Sequence, residues 1–241
     1  MEKPHFDIRY LFPNFFTALS IFVGVIGIIA SIKGDFEKAA WLIFLSLILD
    51  GLDGRVARWT NACSKFGVEF DSLADVVAFG VAPAILLYQV IGHDFGKFGS
   101  MVAALFVVFG AIRLARFNVM APSSEPSVFV GVPIPTAAVF VASWILLYLK
   151  YDLASLKLAI LVMTLGVALL MVSNVRYPSF KKFSFQKRYV IRLLIAVVIA
   201  LSLLYLYPAE FLTIIITLYI FSGIIRAIYY LNRRRKKIEK S

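Results

Sequence analysis

Cysteine is almost missing: Cys63 stands alone in 241 residues. It has no partner for an internal disulfide, and a cluster of thiolate metal ligands has no basis. Histidine is as scarce, with only His5 and His93. Neither lies near an acidic cluster, so neither is a credible metal ligand. Charge is thin as well. Charged residues make up 16% and hydrophobic ones 61%, against roughly 25% and 45–50% in soluble domains. That is too much apolar surface for one soluble core. No 20–50-residue period and no low-complexity stretch is present, which argues against a repeat array and for one integral domain.

What fills the chain is long apolar runs. Eight segments approach the roughly 20 residues a helix needs to cross a bilayer: 11–32, 39–58, 70–91, 98–118, 133–149, 155–173, 190–207 and 209–230. The fourth and fifth are weaker, because 113–118 is polar and 133–149 is short. Lipid offers backbone groups no partner, so only helices or closed barrels span it. The runs lack strict alternation, which selects helices. The expected fold class is therefore all-α, a polytopic transmembrane helical bundle of about eight spans. The first run is long and has no clear small-residue cleavage site, unlike a signal peptide.

Eight spans put both termini on one side. The segments on that side, 1–10, 50–69, 113–132, 174–192 and 226–241, hold 20 of the 25 Lys and Arg. The positive-inside rule then places both termini in the cytosol, in the cell membrane. This asymmetry accounts for most of the +11 net charge with no nucleic-acid partner. The basic run Arg233–Lys237 reads as a contact with anionic lipid.

The informative residues are the polar ones that interrupt the apolar runs, because an ionisable group inside a span is costly and faces a cavity or a partner. The largest interruption runs from Asp50 to Asp75. Asp50 and Asp53 are three apart on the second helix, and Asp71 and Asp75 four apart on the third. Each spacing puts its pair on one helix face. The link between the helices is short enough for an antiparallel connection, so the pairs meet across one seam. Four carboxylates cannot stay ionised together in low dielectric without a counter-charge. Oxygen ligands suit magnesium, manganese or calcium, and two ions are plausible with four acids. Gly54, Ala57 and Gly67 remove bulk beside the acids, and Arg58 adds a bidentate phosphate donor. The plain alternative is a structural network in which Arg55 and Arg58 neutralise the acids.

These residues, Asp50-x2-Asp53-Gly54-x2-Ala57-Arg58-x8-Gly67-x3-Asp71-x3-Asp75, resemble the signature of the CDP-alcohol phosphatidyltransferases in every type and spacing. The resemblance implies a six-span helical core within residues 10–182, two additional spans over 190–230 and a basic tail over 231–241, in one integral domain of residues 1–241. It implies a homodimer, bound divalent metal and CMP as the leaving product. It also implies Asp50, Asp53, Asp71 and Asp75 as metal ligands, with Asp75 also the catalytic base. Gly54, Ala57, Arg58 and Gly67 line the CDP site in that reading. Pro13–Thr17 resembles the family's first span near the nucleotide, which adds Asn14 and Thr17. Four further stretches, 70–83, 113–118, 129–135 and 170–181, resemble the integral-membrane phosphatidylserine synthase branch.

The implied reaction moves the phosphatidyl group of CDP-diacylglycerol to the hydroxyl of L-serine by direct displacement, since no Ser, Cys or His in the motif suggests a covalent intermediate. A serine carboxylate needs cationic recognition. Arg113, Arg116, Arg176 and Lys182 are the candidates for it or for phosphate, with Asn118, Tyr177 and Ser179 as polar contacts. The competing reading has these cations snorkel to the headgroups. Within the family, glycerol 3-phosphate or inositol phosphate are alternative acceptors. Outside it, an intramembrane prenyltransferase or a carboxylate-lined cation transporter are the rivals.

Overall fold

The computed structural model describes residues 11–60, 64–120, 128–178 and 190–238. Nearly all of it is helix. α1 (Leu11–Ile32) and α2 (Phe36–Trp59) form an antiparallel pair. A third stretch consists of α3 (Lys65–Asp75), a widened π turn (Val76–Val81) and α4 (Ala82–Val90). α5 (Gly96–Met120), α6 (Ile134–Tyr151), α7 (Lys157–Val172), α8 (Val190–Leu206) and α9 (Pro208–Ile238) follow. β1 (Val128–Val130) and β2 (Arg176–Pro178) pair antiparallel as a small clip, Phe129 opposite Tyr177.

Helical stretches stand at all eight expected spans, so the chain is a polytopic membrane helical bundle. Six are long and apolar enough to cross a membrane by length and composition. The second falls short because α2 carries Asp50, Asp53, Arg55 and Arg58 within its last turns. Over α8 only the shorter apolar helix Leu194–Leu206 qualifies among the described residues.

Two junctions set the acid-bearing end. On α1 and α2, Ser20 and Ser46 each donate a hydroxyl to the other's carbonyl at 3.2 Å. This reciprocal pair satisfies both hydroxyls in an apolar setting and fixes the helices' register. α1 also runs close to the π turn, where a Cβ on Gly24 would lie 3.0 Å from the Ala78 backbone. Any larger residue would push α1 off the third stretch.

The π turn begins one residue after Asp75 and has a local cause. Pro83 has no N–H to give, and in a regular helix its ring would strike the carbonyl four residues back. The chain widens instead, with the Ala82 N–H reaching the Val77 carbonyl. Such one-turn bulges are frequent at functional sites. Pro133, expected to start the fifth span, sits in extended backbone as the residue before α6, and Pro135 falls in its first turn.

The core is formed by the π turn with α4, α5, α6 and α7, with Phe79, Leu86, Phe106, Ile134, Ile145 and Leu161 fully buried. α9 packs on α6, whereas α8 touches α9 and leaves residues such as Leu194, Leu201 and Leu206 exposed.

Candidate active site

Asp50, Asp53 and Asp71 converge as the spacing predicts: one carboxylate oxygen from each lies within 4.8 Å of the others. α2 supplies two of them from its last turns and α3 the third from its middle. Ser64 caps α3, its hydroxyl accepting the Gly67 N–H at 2.9 Å. That cap starts the third stretch directly after the link and aims Asp71 back at α2.

Asp75 lies one turn further along α3, buried, with Asp50, Asp71 and Arg113 as its charged neighbours. Among the described residues no hydrogen-bond donor reaches its Oδ1. An orphaned buried oxygen is expensive unless something absent from the protein completes it.

A divalent cation fits this site on its own chemistry. The donors are all carboxylate oxygens, which hard divalent ions take. Three converge on one point, and like charges this close need a positive counterpart. Among the described residues no lysine or arginine forms a salt bridge with any of the four acids, so the expectation of a purely structural ion-pair network has no support.

α1 completes one wall. Thr17, expected to contact CDP, is buried, and its hydroxyl donates to Asp53 Oδ2 at 2.7 Å, with the Pro13 carbonyl 3.2 Å away as a second acceptor within reach. It faces the acid itself. Asn14 is half-buried, its Oδ1 3.4 Å from where a Gly67 Cβ would stand. On α2, the Arg58 guanidinium folds back over Gly54, 3.7 Å from its missing Cβ. Asn14, Gly54, Arg58 and Gly67 therefore flank the acids from three helices. The side chain of Ala57 lies outside the described residues.

The acceptor candidates separate. Arg113 is 7% exposed, stacks over the Phe117 ring at 5.4 Å and faces Asp75. Among the described residues no hydrogen-bond acceptor meets its guanidinium. Arg116, one turn on, points elsewhere. Its guanidinium donates to the carbonyls of Val172 (3.0 Å), Ser173 (3.1 Å) and Val130 (3.3 Å) and lies 3.4 Å from Asn174 Oδ1. It ties α5 to the end of α7 and to the β1–β2 clip, so its fork is already satisfied by backbone. Asn118 donates to Ser72 Oγ at 2.9 Å and lies 3.5 Å from Glu69, holding α5 against α3. Arg176 and Tyr177 stand on β2, but their side chains lie outside the described residues, as do Ser179 and Lys182 entirely.

The work of Arg116 was not visible in the sequence, because its partners lie 14 to 58 residues away and are mostly backbone. The Thr17–Asp53 bond was hidden for a similar reason. A buried threonine on an apolar helix normally bonds its own chain, and only the register of α1 against α2 reveals the acid opposite.

The family model for CDP-alcohol phosphatidyltransferase matches residues 10–172. A Helicobacter pylori (strain J99) protein named CDP-diacylglycerol–serine O-phosphatidyltransferase is 53% identical over 225 residues, covering 91% of this chain and 92% of the relative. An archaetidylserine synthase of Methanothermobacter thermautotrophicus is 39% identical over 69% of each chain. The Bacillus subtilis CDP-diacylglycerol–serine O-phosphatidyltransferase is 35% identical over 70% of this chain and 91% of its own. The match spans both halves of the acid cluster, and the chain belongs to the CDP-alcohol phosphatidyltransferase family.

Proposed function

We propose that this chain is a phosphatidylserine synthase, moving the phosphatidyl group of CDP-diacylglycerol to L-serine with release of CMP. The observation that carries the reading is the pairing of two features at one site: three converging carboxylates, and a buried guanidinium, Arg113, beside Asp75 that meets no hydrogen-bond acceptor among the described residues. The first suits a diphosphate held through cations. The second suits a small acceptor that brings a carboxylate, as serine does.

Asp50, Asp53 and Asp71, with Asp75 as a fourth donor, would hold magnesium or manganese, two ions per site. When bound, such ions offset the charge of the diphosphate and of departing CMP. Thr17 orients Asp53 for that task. Asn14, Gly54, Arg58 and Gly67 border the nucleotide, Arg58 as a phosphate donor and the glycines as room. Arg113 binds the serine carboxylate and directs the hydroxyl toward Asp75. Asp75 then takes the hydroxyl proton. The serine oxygen bonds to the lipid-linked phosphorus as that phosphorus parts from the bridging oxygen, which leaves with CMP. Arg116 and Asn118 keep α5, and so Arg113, in position.

The 20-to-5 split of Lys and Arg between the two sides in the sequence supports a cytosol-facing site, both termini inside, and residence in the cytoplasmic membrane. We further propose a core over residues 10–182, two added spans over 190–230 and a tail from 231 within one domain. The homodimer follows from the family resemblance, and cross-linking in intact membranes would test it. For the activity, purified protein receives CDP-diacylglycerol, manganese and a panel of alcohols. Serine should give CMP and phosphatidylserine in equal amounts. CMP release with glycerol 3-phosphate and none with serine would refute the acceptor.

A further inference from the structure

Away from the acids, across α6 from α2, a cleft of about 360 Å³ opens between α6, α7 and α9. Its walls include Phe140, Met163, Gly166, Leu170, Thr217 and Phe221. This volume is within the roughly 300–1,000 Å³ of small-molecule sites. The lining offers almost nothing polar, because the Thr217 hydroxyl already accepts the Trp144 indole N–H at 3.2 Å. Gly166 keeps the cleft open: a Cβ there would meet nothing within 4 Å.

Depth and direction identify what fits. Leu170 lies two residues from the acid-side end of α7, whereas Met163 and Thr217 are the lining residues farthest from that side. Thr217 to Arg226 is nine residues, about 13–14 Å of helix at ~1.5 Å per residue. Half the hydrocarbon core is about 15 Å. The cleft therefore runs from headgroup level to near the bilayer midplane, where the Trp144–Thr217 hydrogen bond links α6 to α9. The Phe140 ring of the lining lies 6.1 Å from the Trp144 ring, and Thr217 accepts its N–H, so the indole sits beside the midplane end of the cleft. Toward the acid side α9 continues through Arg226 into the basic run Arg233–Lys237. The outer ends of α6 and α9 are pinned where Lys150 and Tyr151 both donate to Glu210 at 2.5 Å. The α9 wall is thus a fixed part of the fold, and it lies beyond the stretch matched by the family model.

We propose that this cleft is a binding site for one acyl chain of an anionic phospholipid distinct from the substrate, its headgroup drawn by the basic end of α9. The apolar lining and the half-bilayer length select an alkyl chain. The cations that follow on α9 select an acidic headgroup over a zwitterionic one.

Trp144 allows a test that does not depend on catalysis. Full-length protein carrying Trp41→Phe and Trp59→Phe retains Trp144 as its single tryptophan. It is reconstituted in phosphatidylcholine vesicles containing a minor fraction of lipid brominated near the chain end. Brominated phosphatidylglycerol should quench Trp144 at least threefold more than brominated phosphatidylcholine at the same mole fraction. Gly166→Leu fills the cleft and Phe221→Ala removes an exposed wall; each should bring that ratio below twofold. If Gly166→Leu does not reconstitute, Phe221→Ala decides. Equal quenching by both headgroups would overturn the proposal. So would a preference that survives the variants, or quenching by neither lipid with emission set by protein density, which would mean a second copy fills the cleft.

Discussion

Replacing Thr17 by valine removes one hydrogen-bond donor and little else. The side chain is 3% exposed and β-branched, and valine keeps both shape and rotamer preference. What is lost is the 2.7 Å bond to Asp53 Oδ2. A hydrogen bond to a charged group contributes about 1.5–3 kcal/mol net, which is roughly 10- to 150-fold in an equilibrium constant. Asp53 would keep its carboxylate but lose the contact that fixes its rotamer, so the loss should appear as weaker cation dependence. The assay is CMP release from CDP-diacylglycerol and serine, titrated with manganese. Thr17→Val should raise the half-saturating manganese concentration at least tenfold while leaving thermal stability within a few degrees. Thr17→Ser keeps the donor and should stay within about threefold of the parent. A valine variant with unchanged manganese dependence would refute the reasoning. A serine variant as impaired as valine would assign the effect to packing.

Three further substitutions test other parts of the account. Asp75→Asn should retain binding of CDP-diacylglycerol, measured at equilibrium, and lose about 10²–10⁴-fold in turnover, the usual range for a positioned base. Arg113→Gln should raise the KM for serine at least tenfold, with less effect on kcat and none on manganese half-saturation. A fall in kcat with the KM for serine unchanged would refute that role for Arg113. Gly131 has φ +76°, and a Cβ there would stand 2.2 Å from the Met171 carbonyl oxygen. Gly131→Ala should therefore destabilise the clip by about 1–3 kcal/mol or more, read as a drop in Tm in detergent.

How much was legible in the sequence depended on the range of the interaction. The convergence of Asp50, Asp53 and Asp71 was readable because its parts are local: helix-spaced acids on two helices joined by a short link. Spans were readable from apolar length, and even α2 was found despite the four charges in its last turns. The β1–β2 clip was not, since three-residue strands carry no usable alternation and pair across 46 or more residues. Arg113 and Arg116 looked equivalent in sequence, three apart on one helix. Packing separates them: one turns into the bundle toward Asp75, and the other is taken up by carbonyls at the end of α7. The widened turn after Asp75 has only Pro83 as its local cause, and a proline in an apolar run marks an interrupted helix without saying how the chain widens.

Whether the acids form a seat for cations is tested without any turnover by manganese binding measured directly by electron paramagnetic resonance. Protein in vesicles containing CDP-diacylglycerol, titrated with manganese, should bind two ions per chain, and Asp50→Asn, Asp53→Asn and Asp71→Asn should each abolish at least one. Unchanged binding in all three variants would contradict the account.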